Sequence, residues 1–200
     1  DWRDRMRPKE VGFDFIEAMK LRCDERNIEF LCTPHDQGAL QWLEELDVPA
    51  FKIGSGERGN LLYLKKIAEL GKPIILSTGM YDLHDVQDAV QTIGEGGCTE
   101  LALLHCVTSY PTPADQVNLR AMDEIKTVFN GPVGYSDHTS DSVAVIAATG
   151  RGAKLIEKHI TLDKKQNGLD HKASMEPNEW KEMVQNIRLL EKAMGDDKIV

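Results

Sequence analysis

Two histidines, His138 and His159, each end or follow an apolar segment, and each has a polar residue two positions earlier. Because side chains two apart on a strand point to the same side, Ser136 accompanies His138 and Glu157 accompanies His159. Two imidazoles, a carboxylate and open positions suit a borderline divalent ion such as Mn, Fe, Co or Zn. The alternative is that each histidine is a hydrogen-bonded structural residue.

A second group of residues combines a cation, hydroxyls and glycines. Gly-Ser-Gly, which contains Ser55, begins two positions after Lys52, and Ser77-Thr78-Gly79 repeats the pattern at the end of the next apolar segment. Glycine lets backbone N–H groups approach an anion closely, and lysine adds positive charge. These residues predict a pocket for a phosphate or a carboxylate, with ordinary turn chemistry as the alternative. Lys52 is also a candidate Schiff-base amine.

Two loops carry further candidate binding residues. Tyr110 begins the stiff sequence Tyr-Pro-Thr-Pro, in which each proline fixes its own φ and restricts the residue before it. Asp170 lies in the polar stretch Gly-Leu-Asp-His-Lys after the last apolar segment, where a barrel places substrate contacts. His105 has the opposite strand parity to Thr108 and Tyr110, so we expect it to face the helices.

The elements that must position these residues alternate along the chain. Six apolar segments of strand character lie at 28–33, 50–55, 73–78, 101–110, 132–138 and 154–160. Helical patterns lie at 12–26, 37–46, 59–71, 82–94, 118–129, 139–150 and 177–194. The repeat of about 22 to 30 residues predicts an α/β fold of six β/α units around a parallel sheet.

The polar residues at the strand ends distinguish two architectures. An open doubly wound sheet concentrates ligand contacts at one switch point, whereas a (β/α)8 TIM barrel collects them from nearly every strand. All six predicted strands end in polar side chains, which favours the barrel. Six units cannot close eight strands. We therefore expect a barrel domain over 1–195 whose first two units precede Asp1, and the start of a connection at 196–200.

Composition and charge restrict the class of protein. The 200 residues carry 24 Lys and Arg against 33 Asp and Glu, and the net charge of −9 argues against a nucleic-acid or anionic-membrane binder. No apolar run approaches the ~20 residues of a membrane span. The four cysteines have no C-x-x-C spacing, which favours reduced thiols in a cytoplasmic protein over disulfides or a zinc site.

Six motifs together resemble the sialic acid synthase (N-acetylneuraminate synthase) family, which includes legionaminic acid and spore-coat polysaccharide synthases. They are Phe-Lys-Ile-Gly-Ser-Gly-Glu at 51–57, Pro-Ile-Ile-Leu-Ser-Thr-Gly-Met at 73–80, Leu-His-Cys-Val-Thr-Ser-Tyr-Pro-Thr-Pro at 104–113, Val-Gly-Tyr-Ser-Asp-His-Thr at 133–139, Ile-Glu-Lys-His-Ile-Thr-Leu-Asp at 156–163 and Gly-Leu-Asp-His-Lys-Ala-Ser-Met-Glu-Pro at 168–177. None is specific alone, but the set is, because it occurs in order and with family-like spacing.

The resemblance implies a (β/α)8 barrel followed by a small antifreeze-protein-like domain, in a domain-swapped homodimer. It implies condensation of phosphoenolpyruvate with an N-acylated hexosamine, N-acetylmannosamine in the type case. The products are a nine-carbon 2-keto sugar acid and phosphate. The reaction uses a divalent metal, usually Mn, with Mg or Co as alternatives.

The resemblance also assigns roles by position. His138 and His159 match the metal ligands, and Glu157 matches an active-site carboxylate. The positions that line the phosphoenolpyruvate phosphate and carboxylate are Thr33, Lys52, Ser55, Ser77 and Ser136. Tyr110 and Asp170 match contacts to the amino sugar. Thr108 stands where some members have Asn, and Leu169 where many have Pro.

Three alternatives remain open from the sequence. A legionaminic-type or surface-polysaccharide sugar acid synthase would use nearly the same loop motifs. A Schiff-base aldolase would use Lys52 as its amine and would need no metal. A non-catalytic binding fragment would keep the fold but would turn over no substrate.

Overall fold

The computed structural model describes residues 3–4 and 7–196. The chain divides into two compact units, Asp1–Lys52 and Ile53–Val200. Within the described ranges, no helix has both the length and the apolar character that crossing a membrane requires. The predicted connection at 196–200 lies outside the described residues except for Asp196, and two further β/α units before Asp1 stay a prediction.

The first unit contains two helices, α1 (Phe13–Glu25) and α2 (Gln37–Glu45). The Asp36 side chain caps α2 by accepting a hydrogen bond from a main-chain amide of the first turn. The ring of Phe13 meets the ring of Trp42 edge to face, with 6.1 Å between centroids. No residue of α1 is buried, and the apolar side chains of Phe15 and Leu21 are exposed.

The strand predicted at 28–33 is wrong. These residues form no strand, and the Ile28 side chain is 62% exposed. An apolar run becomes a strand only when a neighbouring strand supplies hydrogen-bond partners, and the sequence pattern cannot report whether such a neighbour exists. Thr33 therefore lies in an irregular segment of the first unit.

Five strands form one sheet, and each is followed by a helix. The strands are β1 (Phe51–Ile53), β2 (Ile74–Ser77), β3 (Leu101–Cys106), β4 (Val133–Asp137) and β5 (Ile156–Lys158). The helices that follow them are α3 (Leu61–Ala68), α4 (Leu83–Glu95), α5 (Ala121–Val128), α6 (Val143–Gly150) and α7 (Pro177–Met194). These bounds agree with the predicted segments to within a few residues at most ends.

The strand order explains where polar side chains gather. The sheet runs β1-β2-β3-β4-β5, and the pairs from β2 to β5 are parallel. Sequential order has no switch point, so the winding is that of a barrel and not of a doubly wound sheet. The structure has five strands where six are predicted, and closure by eight strands stays a prediction. Parallel strands bring all their carboxyl ends to one edge.

In the second unit, an apolar cluster packs behind the last two strands, β4 and β5. Met183 of α7 is buried against Val145 of α6 and Met175, with Trp180 and Ile187 packed beside them. α7 begins with a capping box between the residues at its N-cap and third position, which fixes its start. Within this helix Met183 is buried, whereas Met194 at its end is exposed.

Candidate active site

Three aromatic rings form a cluster at the carboxyl ends of β3, β4 and β5. The ring centroids of His138 and His159 lie 5.3 Å apart and meet edge to face. Tyr110 packs on both, with its centroid 4.1 Å from His138 and 5.6 Å from His159. The two histidines of the predicted metal site thus lie close together, and Tyr110 is brought to the same place by its loop.

Ser136 and Glu157 lie directly beside this ring cluster. The two residues face each other in the parallel register of β4 and β5, and the Ser136 hydroxyl donates a 2.7 Å hydrogen bond to Oε1 of Glu157. Cys106 occupies the same row one strand away, opposite Ser136. The row therefore aligns a thiol, a hydroxyl and a carboxylate across three neighbouring strands.

The hydrogen bonds of His138 define its tautomer. Its Nδ1 lies 2.7 Å from the carbonyl oxygen of Val107, and because a carbonyl can only accept, Nδ1 carries the proton. The single hydroxyl proton of Ser136 goes to Glu157, so Ser136 does not protonate or donate to Nε2 at 3.5 Å. Burial lowers the pKa of His138 and favours the neutral ring; the bond to the Val107 carbonyl opposes this shift, and the charge of His159 adds to it to a smaller extent. A neutral imidazole with its Nε2 lone pair available is the form that binds a metal.

The residues present fit a divalent metal that keeps open positions. An imidazole oriented by an Nδ1–H bond to a main-chain carbonyl is the usual arrangement of a metal-ligating histidine. Within residues 3–4 and 7–196, no group of three or more His, Cys, Asp or Glu is arranged to hold an ion. His138 and His159 would be the two protein ligands, and substrate oxygens and water would complete the coordination.

A second polar cluster surrounds Gly79, at the end of β2. The Gly79 amide donates a 2.8 Å hydrogen bond to Oγ of Ser55, which also lies 3.2 Å from Sγ of Cys106. A Cβ placed on Gly79 would lie 2.6 Å from Oγ1 of Thr108 and 2.8 Å from each of the other two atoms. Only glycine fits where three polar side chains converge this closely. Ser55 and Thr108, both predicted site residues, therefore meet at Gly79.

Asp170 is among the groups whose charge affects the pKa of Tyr110. Burial raises the pKa of the Tyr110 phenol, and the charges of Cys106, Asp170 and Glu157 raise it further. Asp170 is half-buried, and its carbonyl oxygen accepts hydrogen bonds from the Ser174 hydroxyl and the amide of Ala173. The loop carrying Asp170 is thus fixed by its own main-chain bonds.

The remaining predicted residues are placed as follows. Ser77 is buried at the end of β2, within the strand. Lys52 lies in β1 and Thr33 in the irregular segment before it, and both belong to the first unit. Their participation in a pocket with residues of the second unit stays a prediction. His105 lies on the face opposite to Cys106, as predicted, with its Nε2 2.8 Å from the Val117 carbonyl and its ring stacked on Tyr135.

Three features of this region escape the sequence analysis. Cys106 reads there as a small hydrophobe, although its strand parity with Thr108 could have placed it in the site. Tyr81 has the one buried side-chain oxygen without a hydrogen-bond partner among the described residues, and burial raises its pKa to about 12. Asp137 and Lys158 form a fully buried ion pair behind the histidines. Their pairing depends on strand register, which no sequence motif reports.

Comparison with known proteins places these features in context. The model of the NeuB family matches residues 3–199 of the chain. The N,N'-diacetyllegionaminic acid synthase of Campylobacter jejuni is 49% identical over 189 residues, covering 94% of this chain and 57% of that protein. The N-acetylneuraminate-9-phosphate synthase of Homo sapiens is 37% identical over 193 residues, covering 96% and 54%. The chain thus spans about half the length of the curated relatives it matches.

Solved structures agree with this similarity. The N-acetylneuraminic acid synthetase of Leptospira borgpetersenii, solved in complex with citrate, matches with a TM-score of 0.93 and 33% identity over 98% of this chain and 69% of that one. A truncated 3-deoxy-D-arabino-heptulosonate 7-phosphate synthase of Thermotoga maritima matches with a TM-score of 0.80 at 21% identity, over 93% and 74%. The second likeness is one of fold alone.

Proposed function

Because this chain belongs to the NeuB family, we propose that it carries the catalytic residues for condensing phosphoenolpyruvate with an N-acylated hexosamine. The products would be a nine-carbon 2-keto sugar acid and phosphate. Synthases of sialic and legionaminic acids are among its relatives, so a sugar acid synthase is the class to which the chain is assigned. The observation that carries the proposal is the Tyr110–His138–His159 cluster beside the Ser136–Glu157 hydrogen bond.

A divalent metal, Mn first, is part of the proposal. When bound through Nε2 of His138 and the ring of His159, it would supply Lewis-acid polarisation of the open-chain sugar aldehyde. The neutral state of His138 and its fixed tautomer support this assignment. Tyr110, tilted against the ring of His138 and edge to face with that of His159, would hold the sugar chain against them and exclude water on that side.

Glu157 and Ser136 would serve the second half of the reaction. The enol carbon C3 of phosphoenolpyruvate would form the new bond to the sugar carbonyl carbon while the C=O π bond breaks and its oxygen takes up a proton to become a hydroxyl, which leaves cationic character at C2. Water then adds at C2, and the tetrahedral intermediate expels inorganic phosphate. Glu157, which accepts a 2.7 Å hydrogen bond from Ser136, would orient that water and accept its proton. Its negative charge also stabilises the developing cation.

The other predicted residues would bind the rest of the two substrates. Ser55, Ser77, Ser136, Thr33 and Lys52 are assigned to the phosphate and carboxylate of phosphoenolpyruvate. The convergence of Ser55 and Thr108 at Gly79 supports a polar subsite at that point. Asp170 and Tyr110 are assigned to the hydroxyl and acylamino groups of the sugar, where a carboxylate and a phenol both make specific hydrogen bonds.

Two sugars are the candidate acceptors for the proposed condensation. N-acetylmannosamine is the one expected from the family as a whole. A diacetamido hexosamine of the legionaminic type is favoured by identity, which is 49% to the Campylobacter jejuni synthase and 37% to the human one. A homodimer and the use of Mn in the complete protein are also proposals, since the chain spans about half of its relatives.

Phosphate release by the full-length gene product tests the proposal. The assay contains phosphoenolpyruvate and Mn, with and without EDTA, and compares N-acetylmannosamine with diacetamido hexosamines. Release that requires both the metal and one sugar supports the condensation and names the acceptor. No release with any sugar, from protein shown to be folded and metal-loaded, contradicts it.

A borohydride experiment separates the condensation from a Schiff-base aldolase. A covalent adduct on Lys52 after reduction in the presence of substrate would contradict the metal-dependent reaction. Activity that is lost in EDTA, without any adduct, would contradict the aldolase. The non-catalytic alternative requires that neither signal appears.

A further inference from the structure

Strands β4 and β5 carry two polar groups on opposite faces at their carboxyl ends. One face holds the Ser136–Glu157 hydrogen bond and the rings of His138 and His159. Asp137 lies between Ser136 and His138 in sequence, and Lys158 lies between Glu157 and His159. Both point to the other face, because side chains alternate along a strand. That second face carries an ion pair that the proposed reaction does not use.

Asp137 and Lys158 form this ion pair, with 2.6 Å between Nζ and Oδ2. Both side chains are 0% exposed. The carboxylate also accepts a 2.8 Å hydrogen bond from the Tyr135 hydroxyl, a 3.0 Å bond from the Thr139 amide and a 2.9 Å bond from the Thr139 hydroxyl. Nζ of Lys158 donates in addition to the carbonyl oxygen of Thr139. Four donors on one carboxylate make this a fully connected buried network.

The network forms hydrogen bonds with the residues on both sides of His138 and includes the residue that precedes His159. Lys158 binds the residues immediately before and after His138, while its own backbone leads directly into His159. Asp137 and Lys158 are also direct partners in the register of β4 and β5. A slip of that register by one residue would turn every side chain to the other face, so the ion pair can form in one alignment only.

Stability alone does not account for such a pair. Replacing a buried ion pair with apolar residues of similar volume is often neutral or stabilising, because two charges lose their hydration on burial. The better-attested use of buried charges is to specify one alignment among several. Here the alignment specified is the one that brings the two imidazoles to 5.3 Å.

We propose that Asp137 and Lys158 are positioning residues that fix the distance and orientation of His138 relative to His159. They lie on the strand face opposite to the Ser136–Glu157 hydrogen bond and would act through the main chain of β4 and β5. The inference rests on the proposed function in so far as the two histidines are taken as metal ligands. The claim that the two rings keep one fixed arrangement does not depend on that function.

The test uses the full-length protein and a variant that removes both charges, Asp137→Asn with Lys158→Met. Mn affinity is measured without substrates from the electron paramagnetic resonance signal of free Mn. The protonated ring nitrogen of His138 is read separately in metal-free protein from 15N-histidine spectra. We expect the double variant to melt near the wild-type temperature, since no unpaired charge is buried. We also expect it to bind Mn about 10–100-fold more weakly and to lose the uniform Nδ1–H form of His138.

A matched control separates positioning from general destabilisation. Ile93→Ala removes a fully buried side chain of α4, which does not touch the network, and should lower the melting temperature. It should leave Mn affinity and the His138 tautomer as in the wild type. If the double variant behaves in the same way, with wild-type affinity and spectrum, the positioning role is overturned.

If the double variant does not fold, Tyr135→Phe provides a second test of the positioning role. It removes one neutral donor from the Asp137 carboxylate and leaves both charges in place. A loss of about fivefold in Mn affinity is expected, and wild-type affinity would contradict the proposal. If wild-type protein itself binds no metal, the proposed function fails, while the 15N spectra of the metal-free variants still decide the positioning role.

Discussion

The imidazole rings of His138 and His159 lie 5.3 Å apart and meet edge to face, although the two residues are 21 positions apart in the sequence. They are neighbours because β4 and β5 pair in parallel and both rings follow the same parity at the carboxyl ends. The same register aligns Ser136 with Glu157. One strand pairing thus assembles four of the side chains that the proposed reaction needs.

Removal of either imidazole should abolish metal-dependent turnover. We expect His138→Ala and His159→Ala each to weaken Mn binding by more than about 100-fold, since loss of an outer-shell partner alone costs 10–100-fold. Phosphate release and free-Mn titration measure this in the full-length protein. His84→Ala is the matched control, because His84 is an exposed residue paired with Asp88 on α4. Wild-type turnover in either site variant would refute the ligand assignment.

Removal of the Ser136 hydroxyl should impair the hydration step and not sugar binding. Ser136→Ala leaves Glu157 without its 2.7 Å donor, so the carboxylate is less well oriented. We expect kcat to fall about tenfold, equivalent to about 1.4 kcal/mol, with little change in the KM for the sugar. Ser140→Ala, at an exposed position, should leave both constants unchanged. A rise in the KM for phosphoenolpyruvate with unchanged kcat would instead restrict Ser136 to binding that substrate and contradict its role in orienting Glu157.

A methyl group on Gly79 should damage both the fold and the site. In Gly79→Ala the new Cβ would lie 2.6–2.8 Å from Oγ1 of Thr108, Sγ of Cys106 and Oγ of Ser55. We expect a loss of about 1–3 kcal/mol in the free energy of unfolding, together with reduced activity. Thermal melting and phosphate release measure the two effects.

The control for this substitution is Gly94→Ala, in the helical segment α4. A Cβ on Gly94 meets nothing within 4 Å, and alanine favours helix. We expect a gain of about 0.4–1 kcal/mol and unchanged activity. Equal effects of the two substitutions would show that crowding at Gly79 is not what matters there.

The stability of the protein should fall as the pH drops below 6.5, in part because of His105. Burial lowers the pKa of His105 from its ordinary value of 6.5, although its bond to the Val117 carbonyl opposes the shift. The unfolded chain therefore binds a proton at a higher pH than the folded chain does. This contribution to stability is complete above pH 6.5 and is lost as the pH falls through the lowered folded pKa.

Melting temperatures between pH 7.5 and pH 5 measure this dependence. His105→Gln removes the titrating ring and should reduce the decline over that range relative to the wild type. An identical decline in the two proteins would show that other groups carry the pH dependence.

Local patterns predicted most of the fold. The short apolar runs and the three-to-four spacing of apolar residues gave five of the six strands and seven helices within the described residues. The failure at 28–33 has a physical cause, since Ile28 and Leu31 are apolar yet exposed and no strand pairs with them in the described chain. Periodicity records which side chains can be buried, and it does not record whether a partner is present.

The residue types at the strand ends, set by the sequence alone, determined the candidate chemistry. Parity placed His138 beside Ser136 and His159 beside Glu157, because alternation along a strand is a local property. Register is a property of two strands together, so tertiary structure alone decided that Ser136 bonds to Glu157 and that Asp137 pairs with Lys158. The crowding of three side chains at Gly79 was likewise decided by packing, since distances between segments far apart in sequence exist only once the strands align.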